Sequence, residues 1–269
     1  MKLLFLGDIV GRSGRDAVIA LLPQLKQDLG LDGVIVNGEN AAHGFGITPK
    51  LCQDFYAAGV DVITLGNHAW DQKELMGAAD ADTRLVRPLN AVRATPGRGF
   101  ALAELPRGRK ILVTQVIGRL FMDGVDDPFA AIDALLARYP LKGAVHAILV
   151  DVHAEATSEK MGMGHYLDGR VSAVIGTHSH VPTADAQVLP KGTAYQTDAG
   201  MCGDYDSVIG MGKDTAVFKL VRKLPTDRLA PADGPATVCG AVIDIDDATG
   251  LARSIVPLRL GGRLSETRP

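Results

Sequence analysis

Five short apolar runs in this 269-residue chain each stop at a side chain able to bind a metal or move a proton. Leu3-Leu4-Phe5-Leu6 leads into Gly7-Asp8, and Val34-Ile35-Val36 into Asn37-Gly38-Glu39-Asn40. Val62-Ile63-Thr64-Leu65 leads into Gly66-Asn67-His68, Ile148-Leu149-Val150-Asp151-Val152 into His153, and Val174-Ile175 into Gly176-Thr177-His178-Ser179-His180. Asp, Glu, Asn and His without a thiolate suit a borderline divalent metal such as Mn²⁺, Fe²⁺ or Zn²⁺, and argue against a Cys-type structural zinc site. Six or seven donors are too many for one tetrahedral ion; they suit two ions about 3.5–4 Å apart, bridged by one carboxylate. Two such ions bring about +4 and Asp8 with Glu39 remove about 2, so the site keeps about +2 and attracts phosphate. It also lowers the pKa of a bridging water toward neutral, which prepares hydroxide for in-line attack. His178 and His180 face the same way on an extended segment, and in a tight turn both reach a metal pair. Taken singly, an Asp or Asn after a strand is usually a turn or helix cap, and a lone His is usually structural. The five together, all at strand ends, outweigh those plain readings.

The positioning elements follow from the hydropathy pattern. Residues 2–6, 33–37, 60–65, 109–118, 144–152 and 171–176 read as strands. Between them, residues 15–29 carry Val18, Leu21, Leu22, Leu25 and Leu29 at helical spacing before Gly30, a C-cap residue. Thr48-Pro49 caps and opens a helix to about residue 58, a short helix starts near Asp71, and residues 128–139 and 157–167 read as two more helices. Strand and helix in alternation predict an α/β sheet with helices on both faces. In open sheets of this kind, sites lie beyond the carboxyl ends of the strands, so the five tips converge. Beyond about Pro182 the pattern changes to runs at 186–189, 193–196, 216–220, 236–245 and 254–260, read as strands of an antiparallel second sheet packed on the first. Residues 223–235 form a loop, and 261–269 read as a frayed tail. The whole chain, 1–269, reads as one domain.

Composition excludes several classes. Hydrophobic residues make up 46% and charged residues 22%, which rules out a disordered chain. At this size the folded surface should be roughly 11,000 Å², burying about 73% of the unfolded chain's area. Lys and Arg number 28 against 31 Asp and Glu, and a net charge of −3 argues against a stable nucleic-acid complex. No apolar stretch approaches the ~18 residues of a membrane span, and the amino-terminal apolar run is too short for a secretory signal. Three widely spaced cysteines, Cys52, Cys202 and Cys239, fit a reducing compartment, so the expected location is the cytoplasm. Composition also permits a homo-oligomer.

The same motifs resemble the calcineurin-like metallophosphoesterases. Gly66-Asn67-His68, His153 and His178-Ser179-His180 match that family's third, fourth and fifth elements. The departures are informative: Asp8-Ile9-Val10 lacks the second ligand of the first element, Glu39 replaces the bridging Asp, Ala69 replaces an acid, and one residue is inserted before the histidine pair. With Gly7-Asp8-Ile9-Val10-Gly11, Asn37-Gly38-Glu39-Asn40-Ala41-Ala42, Gly46-Ile47-Thr48 and Thr197-Asp198-Ala199-Gly200-Met201, they resemble the small bacterial YmdB-like phosphodiesterase branch over nearly the whole chain. The resemblance implies a two-sheet α/β sandwich flanked by helices. It implies a phosphodiesterase that uses two divalent ions, Fe or Mn before Zn, on cyclic nucleotides, 2′,3′-cyclic nucleotides in the first place. It implies that Asp8, Glu39, Asn40 and His180 hold one metal, that Glu39, Asn67, His153 and His178 hold the other, and that His68 is the general acid. Asn40, a neutral donor, serves equally well as a residue that orients Glu39.

Three alternatives stay open at this stage. A phosphomonoesterase or nucleotidase would use the same bimetal centre, and a regulatory protein could keep the metals for binding alone. Gly7, Gly11 and Gly14 loosely match a dinucleotide turn, but that reading leaves three histidines unexplained. Arg12 and Arg15 open a helix as phosphate ligands do, although an arginine at a helix start is common on surfaces. Gly44-Phe45-Gly46 reads equally as a lip over the site or as a plain turn.

Overall fold

The computed structural model describes residues 1–92 and 94–269. Strand β1 (Lys2–Leu6) and the two-residue β2 (Asp8–Ile9) precede helix α1 (Gly11–Leu29); β3 (Gly33–Asn37), α2 (Pro49–Ala58), β4 (Val62–Thr64), α3 (Lys73–Met76) and β5 (Leu85–Val86) follow. The middle of the chain gives β6 (Phe100–Leu105), β7 (Arg109–Ile117), α4 (Pro128–Arg138), β8 (Ala147–His153), α5 (Thr157–Leu167) and β9 (Ala173–Thr177). The remainder gives β10 (Gln187–Val188), β11 (Ala194–Gln196), β12 (Met201–Asp204), α6 (Lys213–Arg222), β13 (Ala236–Ile245) and β14 (Ala252–Leu260).

Local chemistry sets the helix ends. Gly30, at φ 60°, closes α1 in the left-handed region that costs glycine little. The Thr48 side chain accepts from Leu51 N at the start of α2, with Pro49 following. Asp127 Oδ1 accepts from Phe129 N at 2.8 Å to cap α4.

Two sheets form the expected α/β sandwich. One runs β2-β12-β13-β1-β3-β4-β5, with β14 also on β13; the other runs β10-β11-β9-β8-β7-β6. Strands β1, β3, β4 and β5 are parallel in the first, and β7, β8, β9 and β11 in the second. The period of two along β1 divides the core. Leu3 and Phe5 face the inter-sheet layer with Ile35, Val62, Val113, Leu149 and Ile175, while Leu4 and Leu6 meet Val18, Leu22 and Phe55 of the helices outside. On the far side of the second sheet, Leu112, Ile148 and Val174 pack on Ile132, Leu135, Met163 and Leu167 of α4 and α5. The accessible surface is 11531 Å², close to the roughly 11,000 Å² set by chain mass.

Several expectations are corrected. Residues 216–220 lie in helix α6, not in a strand. Only Ala216 of that helix is buried, and Val217, Phe218, Leu220 and Val221 are exposed, so an apolar run here reflects no sheet position. The late strands do not form a second sheet of their own: β13 and β14 pair beside β1, whereas β11 extends the parallel set of the other sheet. Strands β2, β5, β6 and β12 add to the predicted set. The tail does not fray throughout, because Arg259 and Thr267 exchange backbone hydrogen bonds of 2.9 Å. No described helix is long and apolar enough to cross a membrane.

Candidate metal centre

Both sheets end on one rim, and the five strand tips meet there. Glu39 and Asn40 follow β3, Asn67 and His68 follow β4, His153 ends β8, and His178 and His180 follow β9. Asp8 begins β2 just past β1. Two donor groups form: Glu39, His153 and His178, and Asp8, Glu39 and His180, each offering ligand atoms within 4.8 Å of one another. Glu39 belongs to both.

The contacts give the layout. Glu39 Oε1 lies 3.1 Å from His153 Nε2 and 3.2 Å from Asn40 Nδ2. Asn67 Oδ1 lies 2.9 Å from His153 Nε2, and His178 Nδ1 lies 3.1 Å from the same nitrogen. Asn40 Nδ2 is also 3.3 Å from His180 Nε2. His178 N donates to Asp8 Oδ2 at 3.1 Å, joining the first and last motifs of the set. Each histidine has its outward nitrogen occupied: His153 Nδ1 by Thr177 Oγ1 at 2.8 Å, His180 Nδ1 by the Ile209 carbonyl at 2.8 Å, and His178 Nε2 by Glu155 at 3.3 Å. That pattern aims the other nitrogens inward, as ligating imidazoles require.

The site fits divalent cations by charge and by shape. Asp8 Oδ1 is buried with no hydrogen-bond partner among the described residues, and His180 Nε2, at 3.7 Å, is beyond hydrogen-bond reach. A buried, orphaned carboxylate oxygen costs several kcal/mol by order of magnitude unless a cation answers it. Burial pushes the Asp8 carboxyl up to about 6, while the positive charge of nearby His180 and His153 works against that rise. Burial would raise Glu39 as well, but the charge and hydrogen bond of His153 hold it at about 2; burial would lower His153, and Glu39 holds it at about 9. His178 is pushed down to about 3 by burial and then by the charge of His153. Gly66 leaves the necessary room, because a Cβ there would sit 2.0 Å from Glu39 Oε2 and 2.5 Å from His153 Nε2.

The histidine pair sits on a strained turn. His178 has φ 91° and His180 φ 65°, positions that cost a non-glycine residue about 1–3 kcal/mol each. Asp198 holds the turn between them by accepting from Ser179 N at 3.1 Å and Ser179 Oγ at 2.7 Å. Lys160 Nζ, buried at 2.7 Å, neutralises Asp198. His68 stands at the edge: its backbone N–H donates to Glu39 Oε2 at 3.1 Å, and its Nδ1 lies 2.9 Å from Asp71 Oδ2. Phe45 packs edge-on to that ring at 5.1 Å, so the segment 44–46 does wall the site. A cleft of about 280 Å³ opens here, lined by Phe45, His68, Glu155, Ile209, Met211 and Leu229 among others.

All eight residues expected from the motifs therefore lie at one rim. The arginines of α1 do not join them: Arg12 pairs with Asp233 and Arg15 with Asp16. Sequence reasoning gave no role to Asp71, Glu155, Lys160 or Asp198. A lysine buried on α5 and an acid in Thr197-Asp198-Ala199-Gly200 show no periodicity, and only their partners across the fold reveal a role.

The chain is similar to known proteins over most of its length. A family model described as "YmdB-like protein" matches residues 4–258. A 2′,3′-cyclic-nucleotide 2′-phosphodiesterase of Bacillus subtilis (strain 168) is 46% identical over 255 residues, covering 95% of both chains. The crystal structure of a hypothetical protein from Thermus thermophilus matches with a TM-score of 0.90 and 44% identity, over 98% of this chain and 100% of that one. A novel phosphatase from Mycoplasma pneumoniae matches with a TM-score of 0.90 and 34% identity, over 97% and 93% of the two chains.

Proposed function

The chain belongs to the YmdB-like family, and from that membership we propose that it hydrolyses phosphodiesters, 2′,3′-cyclic nucleotides in particular, with two divalent ions held at the common rim of its sheets. The observation that carries this reading is the buried Glu39 shared by two donor groups, with His68 beside it and not within either. Asp8, Glu39, Asn40 and His180 would hold one ion, and Glu39, Asn67, His153 and His178 the other. Turned by half a revolution, the Asn40 amide presents its oxygen where Nδ2 now lies. Mixed nitrogen and oxygen donors favour Fe or Mn, and Zn also suits them. When bound, the ions supply positive charge for the phosphate oxygens and lower the pKa of a bound water.

The chain's own residues supply the rest. Asp71, at 2.9 Å, orients the His68 ring through Nδ1. Nε2 of that ring is then free to give a proton to the departing ribose oxygen. Phe45, Ile209, Met211 and Leu229 form an apolar wall beside the reacting phosphate, which keeps bulk water from the cleft and offers a surface for a sugar and base. Three buried free cysteines fit a cytoplasmic setting.

The test is hydrolysis of 2′,3′-cyclic AMP by protein loaded with Mn²⁺ or Fe²⁺, with bis-p-nitrophenyl and p-nitrophenyl phosphate alongside. Diester turnover that EDTA abolishes is the expected result; a strong preference for the monoester would make the protein a phosphomonoesterase instead. His68→Ala should keep both metals and lose about 10²–10⁴-fold in turnover. Undiminished turnover would remove His68 from the acid role.

A further inference from the structure

Beneath the rim, Asp151 is buried near the end of β8 with its carboxylate between the two sheets. Four side chains on four other strands donate to it. Asn37 Nδ2 at 3.1 Å, Thr64 Oγ1 at 2.6 Å and Gln115 Nε2 at 2.7 Å all reach Oδ2. Oδ1 takes one bond, from Thr177 Oγ1 at 2.6 Å. That same hydroxyl is the 2.8 Å neighbour of His153 Nδ1.

Proton counting gives this chain a direction. A hydroxyl has one hydrogen, and Thr177 Oγ1 gives it to Asp151 Oδ1. Thr177 then faces His153 with a lone pair, and the imidazole must place a hydrogen on Nδ1. In the neutral imidazole that a metal ligand must be, Nε2, which faces Glu39, Asn67 and His178, then carries no hydrogen. We propose that Asp151 is a positioning residue that acts through Thr177 to hold His153 in the Nδ1–H form, keeping Nε2 open as a metal ligand. The proposal rests on the ligand role assigned to His153 above. It differs from general stitching of the sheets, because only the Thr177 arm of the carboxylate touches that ring.

Substitution reverses the chain. In Asp151→Asn, the amide donors of Asn37 and Gln115 hold the new carbonyl oxygen at the Oδ2 place, which turns the new NH₂ toward Thr177. Thr177 must accept there and donate to His153 Nδ1, so the ring hydrogen moves to Nε2 and blocks the metal. The experiment measures Zn²⁺ affinity by chelator competition, and the His153 Nδ1–H resonance of the Zn²⁺-loaded protein by proton NMR. Asp151→Asn and Thr177→Val should each weaken Zn²⁺ binding by about 10–100-fold, and Thr177→Ser should restore it. The resonance should move upfield in Thr177→Val, where the deshielding bond is gone, and return in Thr177→Ser. Thr64→Val removes a different donor from the same carboxylate and should lower the melting temperature while leaving Zn²⁺ affinity and the resonance close to wild type.

The proposal is overturned if folded Asp151→Asn and Thr177→Val bind Zn²⁺ as tightly as wild type. It is also overturned if Thr64→Val weakens binding as much as Thr177→Val, which would make Asp151 a stitch between sheets and nothing more. A wild-type protein that binds no Zn²⁺ would sink the metal reading together with this one. A wild type that binds metal and cleaves the diester, beside variants that do the same, removes this inference alone.

Discussion

Gly66→Ala adds one methyl group at the most crowded point of the rim. The new Cβ would stand 2.0 Å from Glu39 Oε2, 2.6 Å from Glu39 Cδ and 2.5 Å from His153 Nε2. Contacts of that kind need about 3 Å, so the Glu39 oxygen must retreat by roughly 1 Å. It has little freedom to do so: Glu39 is buried, and His153, Asn40 and the His68 backbone all hold its carboxylate. A misplacement of about 1 Å at a reacting centre costs on the order of 10²-fold in rate. Overpacking of this size costs about 1–3 kcal/mol, which in a domain this large lowers the melting temperature by roughly 2–12 °C. The assay compares kcat/KM for 2′,3′-cyclic AMP, metal per chain by elemental analysis, and the melting curve. Gly77→Ala is the control: nothing lies within 4 Å of its Cβ, and its φ of −79° suits alanine. That variant should match wild type in rate and be as stable or up to about 1 kcal/mol more so. If Gly66→Ala kept wild-type turnover and metal content, Glu39 would not be the shared ligand and the reasoning would fail.

Stability of the chelated protein should depend on pH through His153. Its pKa is raised from 6.5 to about 9 in the folded state, so the folded form binds more protons in that window; the stabilisation is full below about 6.5 and is lost as pH rises through 9. Melting temperatures between pH 6.5 and 9.5 should show a decline that His153→Gln lacks. Lys160→Met would strand the buried Asp198 charge beneath the histidine turn, costing about 3–5 kcal/mol and, by calorimetry, roughly 6–20 °C of melting temperature. Burial pushes the Cys52 thiol up to about 12 and the Cys239 thiol up to about 11, and the Cys202 thiol is raised well above its ordinary value, also by burial. A thiol reagent at pH 8 should therefore find no reactive group in the folded protein and three after denaturation.

Much of the rim is legible in the letters of the chain, because strands announce their ends. A β-branched or aliphatic run that stops at Asp, Asn or His places that residue at a tip, and parallel strands share tips. The boundaries of β1, β3 and β13 follow from composition alone for the same reason. Residues 216–220 misled because Ala-Val-Phe-Lys-Leu is apolar enough for a strand, yet α6 turns most of those side chains to the surface. Strands β2 and β12 escaped notice because two to four residues carry no period; they exist through pairing between Met201 and Asp8 and between Cys202 and Ile9.

Donor chemistry lies in residue type and local spacing, so Asp8, Glu39, Asn67, His153, His178 and His180 could be named from sequence. Which donors meet, and what aims them, belongs to the folded molecule. His178 N reaches Asp8 across 170 positions, Asp151 gathers donors from both sheets, and Lys160 finds Asp198 from another element. Contacts of that range are set by how two twisted sheets stack, and stacking depends on every core residue together. No short stretch of sequence carries that information, whereas the identity of a ligand needs only its own side chain.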